Sequence, residues 1–270
     1  MQTEFTEERA LWLYEHYRWL ERSLPQKQNP GRTPVVFATK EFFPDKYTHD
    51  HRSAVQVFDR IRELMGILDW SCRLEREDDI ERHAQADLRR SGILGESSSS
   101  GPAGTFSVPS ENEVVITYSS SQLKNPIGLV ATLAHELCHY LLATVSEEPP
   151  AGWESLEPLT DLAAVVEGFG VFLCDSAFQF NQWTSSDQQG WSFQKTGYLS
   201  EVELGFALAV FCVRNESDVA GIARSLKPNA RAIFCDAIDF VAGLEEERQV
   251  ANKPVQPTPD RKSTRLNSSH

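Results

Sequence analysis

The chain has 270 residues, 40% of them hydrophobic and 10% aromatic, enough apolar material for one large domain with a sizeable core. Its formal net charge is -13, which argues against a nucleic-acid partner, because phosphate binding needs clustered Lys and Arg. No apolar run reads as long enough to span a bilayer, so no membrane partner is expected either.

The elements follow in chain order. Residues 4–24 predict an amphipathic helix, with Phe5, Ala10, Leu11, Leu13, Tyr14, Tyr17 and Leu20 near helical spacing. This acidic start lacks the basic and apolar regions of a signal peptide. A Pro/Gly/Gln-rich turn spans Pro25 to Pro34, and PVVFAT then reads as a short buried strand. EFFPDKYTHDHRS reads as a loop, SAVQVFDRIRELMGIL as a helix, and LDWSCRLERE as a half-exposed strand. Ser91 to Gly104, with SSSSGPAG inside it, reads as a flexible loop. TFSVP and NEVVITYSS are strands by their β-branched and aromatic content. A helix is expected from Asn125 or Pro126 to Thr144, and a second long one from near Pro158 through LTDLAAVVEGFGVFLCDS. Ala177 to Gly190 reads as a polar loop. GYLSEVELGFALAVFCVRN is a third helix, capped by Ser200. The last helices run from about Ser217 to Leu226 and from Asn229 to Glu246. Strands early and helices late give an α+β class, a small mixed sheet followed by a helical core, in one domain over residues 1–248. Residues 249–270 are expected to be a disordered tail. Its end, RKSTRLNSSH, resembles translated adapter sequence, so residues from about 260 onward are excluded from functional reasoning.

HELCH carries the chemistry. His135 and His139 stand four apart, on one face of a helix, and can direct both imidazoles at one ion. Glu136 is rotated by one residue, near enough to act on a water at that ion. With 7 His in 270 residues, a chance HExxH is expected about 0.02 times. The motif therefore stands above background, although two histidines do not complete a catalytic zinc site, which usually takes three protein ligands and a water.

Carboxylates at the start of the next long helix supply the third. Glu157 and Asp161, in LEPLTDLAAV, are four apart and share a helical face. HELCH together with this ExxxD spacing resembles the gluzincin class of metallopeptidases, which includes thermolysin and the M1 aminopeptidases. The resemblance implies that His135, His139 and Glu157 bind zinc and that Glu136 is the general base. It also implies that Asp161 orients a ligating histidine by accepting its second N–H. Two features depart from the class: Leu156 precedes Glu157 where the class often has Asn, and Pro158 suggests that Glu157 is an N-cap. Asp161 as the direct ligand is therefore the alternative to Glu157. PVVFATKEFFPDKY, HELCHYLL, EPLTDLAAVVEGFGVF and GYLSEVELGFALA also resemble successive blocks of an uncharacterised bacterial family of zincin-like proteins. That resemblance implies one continuous zincin-like domain and no particular substrate.

The expected function is zinc-dependent hydrolysis of a peptide or protein substrate; the alternative is a zinc-containing binding or regulatory module with little hydrolysis. Tyr198 is a candidate donor to the developing oxyanion or a packing Tyr beside a turn Gly, and NEVVITYSS is either a sheet-edge strand for an extended peptide or an ordinary core strand. Glu154 and Glu167 are weaker ligand candidates, and Glu167 reads as a solvated or capped carboxylate. His49 and His51 of THDH read as exposed loop histidines. The GFG at 168–170 reads as a helix-packing feature. The five cysteines, Cys72, Cys138, Cys174, Cys212 and Cys235, form no CxxC pair and read as reduced thiols in a cytoplasmic protein, with Cys138 a small buried side chain.

Overall fold

A computed structural model describes residues 5–25, 32–78, 104–110, 113–177 and 198–251. Helices α1 (Glu7–Ser23) and α2 (His51–Met65) precede strands β1 (Cys72–Arg76), β2 (Gly104–Ser110) and β3 (Glu113–Tyr118). Helices α3 (Pro126–Ala143), α4 (Leu156–Ala164), α5 (Glu201–Arg214), α6 (Val219–Ser225) and α7 (Pro228–Ala251) complete the chain. The α+β class agrees with the sequence, and the three strands precede α3 to α7 but follow α1 and α2. The expected loops at 91–104 and 177–190 lie almost wholly outside the described residues, as does the tail from 252 onward. Of that tail, residues 249–251 are the end of α7.

Local chemistry sets the helix ends. Asp50 and Ser53 form a reciprocal capping box at the start of α2, and Gly66 ends that helix in the left-handed region at φ 76°. Ser200 and Glu203 form a second box at the start of α5, as the Ser200 cap predicted. Pro126 opens α3 at a position where its missing N–H has no helical partner to lose. The helix α4 begins at Leu156, so Glu157 lies inside its first turn and is not an N-cap. Pro158 is still within the first turn, which tolerates it for the same reason.

The sheet is small and mixed, in the order β1-β3-β2, with β1 parallel and β2 antiparallel to β3. Strand β3 is therefore central. Of the two readings of NEVVITYSS, the core strand is the one observed and the open edge is not: its backbone pairs with strands on both sides, and Val114, Val115, Ile116, Thr117 and Tyr118 are all buried. Helix α3 packs against this sheet, α2 and α4. Among the described residues it alone is long and apolar enough to cross a membrane, yet 72% of that span is buried inside the protein. On the other side, α1 lies against α4 and α5, and the Arg9–Glu203 and Arg214–Glu21 ion pairs tie α1 to α5.

One glycine shapes the second half of the fold. After Ala164 the helix passes through an irregular π turn (Val165–Phe169) and continues over residues 170–177. Gly168 sits inside this turn at φ 99°. The break frees its carbonyl, which accepts Val36 N at 2.9 Å. PVVFAT was expected to be a strand, but this contact replaces a ladder: Val35 and Val36 are buried while the segment pairs with a helix break. A Cβ on Gly168 would lie 2.3 Å from Pro34 O, so its close partner is a loop backbone and not a helix. Gly170 does serve helix packing, with Leu208 of α5 at 2.9 Å from its would-be Cβ. Glu167 is only 5% exposed and is corrected from a solvated to a buried carboxylate.

Gly168→Ala combines a positive φ, costing about 1–2 kcal/mol, with a steric conflict against backbone. Gly152 has φ 72° but nothing nearer than 3.7 Å to its would-be Cβ. Thermal melts should show Gly168→Ala losing clearly more than Gly152→Ala, by at least about 4 °C in a domain of this size. Equal losses would contradict the tight contact with Pro34.

Candidate metal centre

His135 and His139 lie on the middle turns of α3, both with little exposure, and Glu157 arrives from the first turn of α4. The helical spacing does what the sequence required: the two imidazole planes are nearly perpendicular, with ring centroids 4.8 Å apart. The Nε2 atoms are 3.1 Å apart. Glu157 Oε2 lies 3.2 Å from His135 Nε2 and 3.6 Å from His139 Nε2. These three atoms form the group among the described residues that could hold a metal ion.

The outer bonds fix which lone pairs face inward. His135 Nδ1 lies 2.8 Å from Asp161 Oδ1, and a carboxylate can only accept there, so Nδ1 carries the proton. Thr160 Oγ1 donates to Leu156 O at 2.8 Å and so accepts from His139 Nδ1 at 3.3 Å. Both histidines thus present Nε2 lone pairs to each other and to a carboxylate. Such a cluster of acceptors is stable only around a proton or a cation. The ligand atoms of a four-coordinate zinc at about 2.0–2.1 Å stand about 3.3 Å apart. The observed edges of 3.1, 3.2 and 3.6 Å bracket that spacing, so the residues fit a tetrahedral ion.

The electrostatics agree. Burial lowers the His135 pKa, but hydrogen bonds to Asp161 and Glu157 outweigh it and hold the imidazole at about 10. Hydrogen bonds from His135 and His139 bring Glu157 down to about 2 despite its partial burial. Both shifts favour a positive charge among these atoms, and a proton and a metal ion would compete for the same lone pairs.

Asp161 is not one of the converging donors. Its Oδ1 holds His135 on the far side of the ring from Nε2, and its Oδ2 accepts Leu199 N at 2.9 Å. Both oxygens are engaged, so the alternative of Asp161 as the direct third donor is not the arrangement observed. Glu154 and Glu167 also lie outside the group. Sequence reasoning missed two supports, Thr160 and the Leu199 N–H. Thr160 was accessible in principle, because it shares a helical face with Glu157 as its i+3 neighbour. The Leu199 bond joins residues 38 apart and has no local signal.

Glu136 is 5% exposed and its carboxylate forms no hydrogen bond with the described residues. Burial raises its pKa, an effect that the neighbouring histidines only partly oppose. Tyr198 stands over the same cluster, its ring centroid 5.2 Å from that of His135, and it is 49% exposed. Burial, followed by the charges of Glu157, Glu136 and Asp161, raises its phenol well above the usual range, so it remains a donor. His49 and His51 are separate from the cluster: each bonds through Nδ1, to Leu123 O and to Tyr118 Oη. His49 is exposed as expected, whereas His51 is half-buried at the start of α2. Cys138 is fully buried and is not a member of the group. Comparison with models of protein families, with curated protein sequences and with solved structures finds no match to this chain.

The geometry separates a donor from its support. Zinc titration should show Glu157→Ala losing tight stoichiometric binding. Asp161→Ala should weaken binding by about 10–100-fold while still saturating with zinc. The opposite ranking would make Asp161 the ligand.

Proposed function

We propose that this protein is a zinc-dependent hydrolase, specifically a gluzincin-like metallopeptidase that cleaves peptide bonds. The observation that carries the reading is the convergence of His135 Nε2, His139 Nε2 and Glu157 Oε2 beside Glu136, whose carboxylate has no hydrogen bond with the described residues. When bound, zinc supplies Lewis acidity, lowering the pKa of a water to about 7 and polarising the scissile carbonyl.

The chain's own residues do the rest. Glu136 takes the proton of the attacking water and passes it to the leaving amine nitrogen. Tyr198 donates its hydroxyl proton in a hydrogen bond to the carbonyl oxygen as that atom gains negative charge. Asp161 keeps the His135 ring turned so that Nε2 faces inward, and Thr160 does the same for His139. The three fully buried cysteines and the absence of any disulfide among the five thiols support a reducing, cytoplasmic setting for this activity.

Activity on a mixed peptide library, followed by mass spectrometry, tests the reading. Zinc-loaded protein should cleave, chelation should abolish cleavage, and zinc should restore it. Glu136→Gln should lower kcat by about 10²–10⁴-fold while zinc stays bound at one per chain. A zinc-loaded wild-type protein that cleaves nothing would favour a binding or regulatory module. Tyr198→Phe should lower kcat by about 10²–10³-fold with little change in KM. An unchanged kcat would remove Tyr198 from the mechanism.

A further inference from the structure

Beyond the Gly168 kink, residues 170–177 form one wall of a cavity of about 650 Å³. The Pro34–Thr39 segment, held by the Val36–Gly168 bond, forms another wall, and Gly221 and Ile222 of α6 close a third. The volume is within the range of small-molecule sites, about 300–1,000 Å³. Val171, Phe172 and Ile222 give it an apolar, buried lining.

The polar groups of this lining are unequally satisfied. Arg32 on the rim pairs with Glu216, and Arg224 with Asp218. Lys227 Nζ donates to the backbone carbonyl of Asp175 at 2.7 Å. The Asp175 carboxylate is the exception. The residue is 8% exposed and its Oδ1 accepts Lys227 N at 2.9 Å, but no described residue donates to Oδ2. A carboxylate oxygen with no donor among the described residues, on a largely buried residue in a cavity wall, is open to a charged donor that enters the cavity. Burial raises its pKa accordingly, against the partial compensation of Lys227. Lys227 stands beside this carboxylate, but its ammonium gives its bond to the backbone carbonyl of Asp175, which leaves Oδ2 open to a donor from the cavity.

We propose that this cavity is a second small-molecule site, for a primary amine with a compact apolar body. The ammonium group bonds Asp175, and the apolar body lies against Val171, Phe172 and Ile222. The site is separate from the metal centre: Asp175 follows Asp161 by 14 residues, roughly 20 Å of helix interrupted by the kink.

Isothermal titration at pH 7 with hexylamine, 1-hexanol and hexanoate tests this on the full chain. It is run on zinc-loaded protein and on Glu157→Ala, in which an amine has no zinc to ligate. Hexylamine should saturate at one per chain in both, at least tenfold more tightly than the alcohol or the acid. Asp175→Asn keeps an acceptor for Lys227 N; it should lower hexylamine affinity at least tenfold and leave 1-hexanol unchanged. Ala38→Trp, at the exposed lip of the cavity, should weaken all three ligands without touching the core. Equal affinity for amine and alcohol, amine binding undiminished in Asp175→Asn, or amine binding that disappears in Glu157→Ala would each overturn the proposal. Should Asp175→Asn fail to fold, the wild-type ligand series and Ala38→Trp still decide it.

Discussion

The carboxylate of Asp161 holds the candidate site together. One oxygen binds His135 Nδ1 and the other binds Leu199 N, so a single side chain joins α3, α4 and the segment leading into α5. The first bond fixes the tautomer of His135 and turns its Nε2 toward His139 and Glu157. The second bond places Tyr198, the residue before Leu199, against the same imidazole. A charged acceptor buried this deeply is stable because both oxygens are bonded. Loss of either bond would leave an uncompensated group in the core and loosen the geometry on which the chemistry depends.

The helix α3 makes this arrangement demanding. It is apolar almost throughout and largely buried, yet it carries His135, Glu136 and His139 with little contact with water. Buried polar groups are costly unless they are satisfied, and two of these three are satisfied from the outside by Asp161 and Thr160. Glu136 is the one left without a hydrogen bond among the described residues. A little-exposed carboxylate with no such bond, beside three inward-facing ligand atoms, is placed to act on a water there.

Much of this was readable from the residues. The i, i+4 histidines and the i, i+4 carboxylates follow from helical periodicity alone, and the cap at Ser200 followed from local chemistry. The sequence left the roles of Glu157 and Asp161 open because the spacing puts both on one face. Only the packing of α4 against α3 decides which of them meets Nε2 and which meets Nδ1. PVVFAT misled because burial of Val35 and Val36 looks the same whether the backbone partner is a strand or a helix break. The kink itself had a visible trace in the GFG, but nothing local tells a left-handed glycine facing a loop from one in an ordinary helix. Whether β3 lay at the edge or the centre of the sheet stayed open because pairing order depends on contacts across dozens of residues.

The central claim is that two imidazoles and one carboxylate, and no thiolate, hold a zinc ion at this site. X-ray absorption at the zinc edge of the loaded protein tests it most directly. The spectrum should show a shell of nitrogen and oxygen at about 2.0–2.1 Å, with the outer scattering of two imidazole rings. A sulfur shell near about 2.3 Å, as Cys138 would give, or scattering from fewer than two imidazoles would contradict it.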